Sequence, residues 1–168
     1  MSRSATAEIA VMRVVRRSVG DFDDFYAAGF QPLALQLYAY LGDLGLAQDL
    51  TQEAFCRALG RWKRISTDDE PVAWVRRTAW SLATKPGRAG AVTRGRRQEL
   101  IEVGARRLAL AEALATLPPN HRRAVVLHHL ARLSVAEIAE QERIPQGTAQ
   151  NRLDQGQAAL AAALRKDS

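Results

Sequence analysis

Between positions 76 and 107 nine basic residues (Arg76, Arg77, Lys85, Arg88, Arg94, Arg96, Arg97, Arg106 and Arg107) stand against two acids, Glu99 and Glu102, a local excess of +7. Cations at this density neutralise phosphates, and the counterions they release drive association with a polyanion such as nucleic acid. Trp80 lies among them, and an indole offers exposed bases a face for stacking. Arg76, Arg77, Trp80, Lys85 and Arg88, with Arg94, Arg96 and Arg97 beyond, therefore form one candidate nucleic-acid surface.

A second constellation follows Leu133. Ser134 and Glu137 have capping-box spacing: the hydroxyl accepts from the third N–H and the carboxylate reaches back to the cap. Ile138 and Ala139 face a core, a short turn follows, and Pro145 begins another helix. Two short helices joined in this way form a helix-turn-helix, whose second helix can enter the major groove. Gln146, Thr148, Gln150, Asn151, Arg152 and Gln155 are its candidate reading residues, because Gln and Asn pair bidentately with adenine edges. Arg152 is the one cation from Gly147 to Gln157, and Asp154 repels phosphate. From Ser134 to Ser168 four bases face five acids. The phosphate contribution, a large part of DNA affinity, is weak here, and this segment should bind DNA poorly by itself. Gly156 costs the helix about 1 kcal/mol relative to Ala.

A third pattern runs from Leu46 to Trp62. Leu46, Leu50, Ala54, Phe55, Ala58, Leu59 and Trp62 share an apolar stripe, while Gln48, Asp49, Gln52, Glu53 and Arg57 face the other way.

These patterns need helices to position them, and the composition supplies helix formers. The chain has 168 residues, 47% hydrophobic, 25% charged and 6% aromatic, with a net charge of +6. Ala, Leu, Arg, Gln and Glu dominate, so the fold class is all-α. A basic, weakly helical leader spans 1–20. Asp21, Asp23 and Asp24 are placed to cap a helix from about Phe22, and Pro32 to open the next, which carries Leu33, Leu37, Tyr40 and Leu41 and ends at Gly42-Asp43. The helix from Pro71 to Thr84 buries Val72, Val75, Ala79 and Leu82, with Trp74 and Trp62 as core aromatics, and stops at Lys85-Pro86-Gly87. A basic linker covers 86–104. Helical pattern resumes from Leu100 to Leu117, breaks at Pro118-Pro119, and continues through Asn120–Leu130, Ser134–Gln141 and Pro145–Leu164. Two small domains, 21–85 and 105–168, joined by the linker are the simplest organisation.

Several chemistries are excluded. Cys56, the single cysteine, rules out an internal disulfide, and its apolar neighbours suggest a buried thiol. His121, His128 and His129 lack the Cys or carboxylate companions of a metal site, and adjacent histidines on a helix point about 100° apart. No phosphate loop or catalytic triad order appears, so no metal, cofactor or enzymatic activity is expected. No apolar run approaches the roughly 20 residues of a membrane span, and no signal peptide is evident, which points to a cytoplasmic protein without membrane association.

The stretch Leu117-Pro118-Pro119-Asn120-His121-Arg122-Arg123-Ala124-Val125-Val126-Leu127, continuing through Leu133 to Ala139, resembles the sigma-4 domain of extracytoplasmic-function (ECF) sigma factors, a branch of the sigma-70 family. Leu41-Gly42-Asp43, then Ala47 to Phe55 and closing Trp62, resemble their sigma-2 domain, and the likeness is to SigE-like actinobacterial members. The resemblance covers roughly Phe22 to Leu164. It implies that Asp49, Gln52 and Glu53 dock on the β′ clamp helices of core RNA polymerase, with the sigma-4-like part toward the β flap. It further implies that the helix from Pro71 and its continuation melt and read the minus-ten promoter element. An anti-sigma factor is a further implied partner. Ser81 takes the position where the family commonly has Asn, and Lys85-Pro86-Gly87 interrupts an Arg-rich continuation.

Two readings stay open. In one, the chain is an ECF sigma factor that binds core polymerase and directs promoter recognition and initiation. In the other, it is a divergent sigma-like regulator that binds polymerase or another transcription factor without autonomous promoter recognition.

Overall fold

The computed structural model describes residues 3–67, 70–86 and 105–166, with side chains from 21 and from 109 in the first and last of these stretches. Among the described residues the chain is all-α: α1 (Arg3–Leu41), α2 (Leu44–Gly60), α3 (Trp62–Ile65), α4 (Pro71–Ala83), α5 (Ala105–Thr116), α6 (Pro119–His129), α7 (Val135–Glu142) and α8 (Gln146–Lys166). Helices α1 to α4 pack together, α5 to α8 pack together, and α1 also lies against α5 and α6.

α1 departs from the expected pattern. Asp21, Asp23 and Asp24 lie inside this helix rather than capping one, and Pro32 is internal rather than first. A proline ring denies the carbonyl four residues back its donor, at a cost of about 3 kcal/mol. Packing on both sides of the proline offsets that cost. Before it, Phe22, Phe25, Tyr26 and Phe30 surround Phe55 of α2 at centroid distances of 6.5, 5.5, 5.1 and 6.2 Å. Phe22 and Phe25 also meet Trp62, at 5.3 and 5.0 Å. After the proline, Leu33, Leu37 and Leu41 are buried. The helix ends where expected: Gly42 takes a left-handed φ of 71° and its N–H donates to the Tyr38 carbonyl.

Asp43 then caps α2 by accepting from the Leu46 N–H at 2.9 Å. Ala47, Leu50, Thr51, Ala54, Phe55 and Ala58 face inward. Thr51 is fully buried, and its hydroxyl is satisfied by donating to the Ala47 carbonyl at 2.7 Å. Leu59 and Cys56 are exposed, contrary to expectation. At 100° per residue, Cys56 falls in line with Asp49, Gln52 and Glu53.

α4 opens on Pro71, whose missing N–H costs nothing at that position. Its buried residues are Ala73, Val75, Ala79, Trp80, Leu82 and Ala83. Val72, expected inside, is exposed, and Trp74 is only half-buried.

In the second set the capping box of α7 is present: Ser134 Oγ accepts from the Glu137 N–H at 3.2 Å, and Glu137 accepts from the Ser134 N–H at 2.7 Å. Arg143, in a left-handed conformation, closes α7 and turns the chain into α8. Gly156 of α8 has a packing reason: a Cβ there would lie 2.6 Å from Val125 Cγ2 and 2.9 Å from the His121 carbonyl oxygen. The glycine lets α8 approach α6 closely. Its helix-propensity cost secures that contact.

Two substitutions measure these devices. Phe55→Ala removes the ring that joins α1 to α2 and should cost about 3–5 kcal/mol in urea unfolding. Ser134→Ala should cost about 1 kcal/mol at neutral pH. The Ser134 N–H, and next the Ser134 hydroxyl, hold the Glu137 carboxyl below its ordinary range, and alanine removes only the hydroxyl's share. That stabilisation is present above the ordinary glutamate range and is lost as pH falls through the lowered value. The gap between Ser134→Ala and the parent should therefore narrow in unfolding curves taken below the carboxylate range.

Candidate functional site

The α2 stripe is open to solvent. Asp49, Gln52, Glu53 and Arg57 are exposed and, with Cys56, line a shallow depression. Glu53 and Arg57 pair at 2.6 Å, an exposed i,i+4 bridge of small energetic worth. No described residue bonds to the side chains of Asp49 or Gln52, so both present their full hydrogen-bonding capacity outward. The inner face of α2 is locked by Phe55 and Thr51, which gives this stripe a rigid support.

The basic candidates divide. Arg77 and Lys85 are exposed. Arg76 is half-buried, and its Nε donates to Gln141 Oε1 of α7 at 2.7 Å. Burial, and next the neighbouring Arg77 charge, lower the pKa of its guanidinium. Trp80 requires a correction. It is only 2% exposed, its Nε1 donates to Gln36 Oε1 at 3.2 Å, and its ring meets Tyr40 at 5.1 Å. The indole is core and offers no face to a base. Arg88, Arg94, Arg96 and Arg97 lie outside the described residues.

On α8, Gln146, Gln150, Asn151 and Gln155 are exposed, while Thr148 and Arg152 are half-buried. The outward amides take partners along the helix itself: Gln150 donates to the Asp154 carboxylate at 2.8 Å and Gln155 to the Asn151 amide oxygen at 3.2 Å. A base edge must compete with those partners. Arg152 acts electrostatically on Glu142, which Arg123 also holds at 2.7 Å. Burial nevertheless raises the Glu142 carboxyl above its ordinary value. The outer surface of α8 is therefore close to neutral and well supplied with amides.

Sequence reasoning passed over three residues that tie helices together: Gln36 joins α1 to α4, while Gln141 and Arg122 join the two helix sets. Arg122 was readable in part, because it stands three and four residues before Val125 and Val126 on an apolar face. The described residues hold no group of His, Cys, Asp and Glu suited to a metal, and no helix among them is long and apolar enough to cross a membrane.

Compared with known proteins, residues 31–85 match the sigma-70 region 2 family and residues 107–160 the sigma-70 region 4 family. The chain is 33% identical over 135 residues to the ECF RNA polymerase sigma factor SigC of Mycobacterium tuberculosis, a match covering 74% of this chain and 73% of that protein. It is 31% identical over 122 residues to the RNA polymerase sigma-E factor of Streptomyces antibioticus, covering 68% of each. The sigma factor RpoE from Bartonella quintana, solved in complex with the anti-sigma factor NepR, shares the fold with a TM-score of 0.68, across 88% of this chain and 99% of that one at 18% identity.

The near-neutral surface of α8 has a measurable consequence. Asp154→Arg frees Gln150 and adds a cation beside it. Duplex binding by the full chain should strengthen severalfold in fluorescence anisotropy at low salt. The slope of log K against log salt should steepen by roughly one.

Proposed function

Because the chain belongs to the ECF group of the sigma-70 family, we propose that it binds core RNA polymerase through α2 and directs that enzyme to promoter DNA for transcription initiation. The observation that carries the docking assignment is the exposed stripe Asp49, Gln52 and Glu53 on a helix whose opposite face is locked in the core. Its partner on the enzyme is the β′ clamp helices, with α5 to α8 serving the β flap. Arg77 and Lys85, continued by Arg88, Arg94, Arg96 and Arg97, hold the DNA backbone near the minus-ten element. Gln146, Thr148, Gln150, Asn151, Arg152 and Gln155 read the upstream element. The working division is 21–85 for docking and melting, 86–104 as linker and 105–168 for upstream reading. The chain acts as a binding subunit of the transcription machinery rather than a catalyst, in the cytoplasm, with an anti-sigma factor as a further partner.

Asp49→Ala combined with Glu53→Ala tests the docking assignment. Core polymerase binding should weaken at least tenfold, about 1.4 kcal/mol, with helical content unchanged by circular dichroism. Run-off transcription from a promoter library should fall in parallel. Unchanged polymerase affinity in the double variant would sink the assignment.

The partly engaged DNA surface favours one second reading, a sigma-like regulator without promoter choice of its own. Arg76 is tied to Gln141, Gln150 to Asp154 and Gln155 to Asn151. Polymerase binding by the parent chain without specific initiation, with no coactivator missing, would select that reading.

A further inference from the structure

α1, α2 and α4 on one side, and the turn between α6 and α7 on the other, enclose a cavity of about 300 Å³. That volume lies at the small end of the range for small-molecule pockets, roughly 300–1,000 Å³. Phe25, Leu33 and Phe55 contribute apolar wall. Val72 and Leu130, both large apolar residues left exposed, also border the cavity and extend its apolar surface toward solvent.

Three polar side chains interrupt this lining, and none of them is an acid. Gln36 is 8% exposed; its oxygen accepts from Trp80, and no described residue accepts from its amide NH2 group. That NH2 group borders the cavity and remains available to an acceptor placed there. Arg76 uses Nε on Gln141, and no carboxylate of the described residues lies within ion-pair distance of it. Arg132 holds a left-handed φ of 57°, a conformation that glycine would adopt more cheaply. Two guanidiniums and an amide donor thus border an apolar chamber whose own lining holds no acid, the carboxylates that act on Arg76, Glu137 and Glu70, lying outside it.

We propose that this cavity binds a small amphipathic anion, in chemical class a medium-chain carboxylate. Its alkyl chain lies along Phe25, Leu33 and Phe55, and its head accepts from Arg76, Arg132 and the Gln36 amide. The walls come from both helix sets, so occupancy favours the packed arrangement over any in which the sets separate.

Titration of the full chain with decanoate, below its aggregation concentration, tests this. Calorimetry should show saturable one-to-one binding, accompanied by a change in tryptophan emission, since Trp80 bonds to Gln36. Decyltrimethylammonium, with the same chain and the opposite charge, should bind at least tenfold more weakly, and acetate should show no heat of binding. Ala28→Phe, which places a ring on the cavity lining, should weaken decanoate at least tenfold and leave core polymerase binding as in the parent. If Ala28→Phe does not fold, Arg132→Gly, at an exposed position that favours glycine, should weaken decanoate severalfold. Absence of decanoate binding, equal binding of the two amphiphiles, or parental affinity in the folded variants overturns the proposal.

Discussion

The guanidinium of Arg122 is where the two helix sets are joined. It is 6% exposed and donates to the Tyr40 carbonyl at 2.8 Å, the Leu117 carbonyl at 2.9 Å and the Ala115 carbonyl at 3.2 Å. Tyr40 lies in the last turn of α1, and Ala115 and Leu117 lie at the end of α5. Helix C-termini leave carbonyls without internal donors and carry partial negative charge, so one planar cation with several donors satisfies two such ends together. The same group sits 5.7 Å from the Tyr40 ring centroid. Burial raises the Tyr40 phenol above its ordinary pKa, against the opposing pull of Arg123 and Arg122.

What this junction permits differs between the candidate sites. The α2 stripe faces away from it and stays open. Arg76 faces it and is held by Gln141, while Arg123 pairs with Glu142 in the same neighbourhood. The proposed docking stripe is thus accessible in the packed arrangement, whereas part of the cationic surface is engaged within the molecule. The aromatic cluster around Phe55 lies behind both, because it fixes α2 against α1 and thereby sets the direction in which Asp49 and Gln52 point.

Legibility in the sequence followed the range of the interactions. The Ser134–Glu137 box and most of the inward face of α2 depend on spacings within four residues, and the sequence states them directly. The Gly42 stop is equally local. Pro32 misled because a local rule yielded to packing on both of its flanks. Trp80 and Val72 misled because a helix turns 100° per residue, so an apolar pattern with adjacent candidates leaves the facing residue undecided. The Arg76–Gln141 bond spans 65 positions and the Arg122–Tyr40 bond 82, and no pattern within either segment encodes them. Cys56 shows the same limit on a smaller scale, since apolar neighbours did not determine which side of α2 it takes.

The open stripe on α2 is also short. From Asp49 to Cys56 it advances seven residues, about 10 Å along the helix axis at 1.5 Å per residue. Two turns of helix bury far less than the roughly 800 Å² per partner typical of a stable complex. On the proposed docking, a lasting hold on a large enzyme requires contacts beyond α2, which the other helix set of the same chain can supply. Because the two sets belong to one chain, the first contact raises the effective concentration of the second, and two modest footholds become one strong grip.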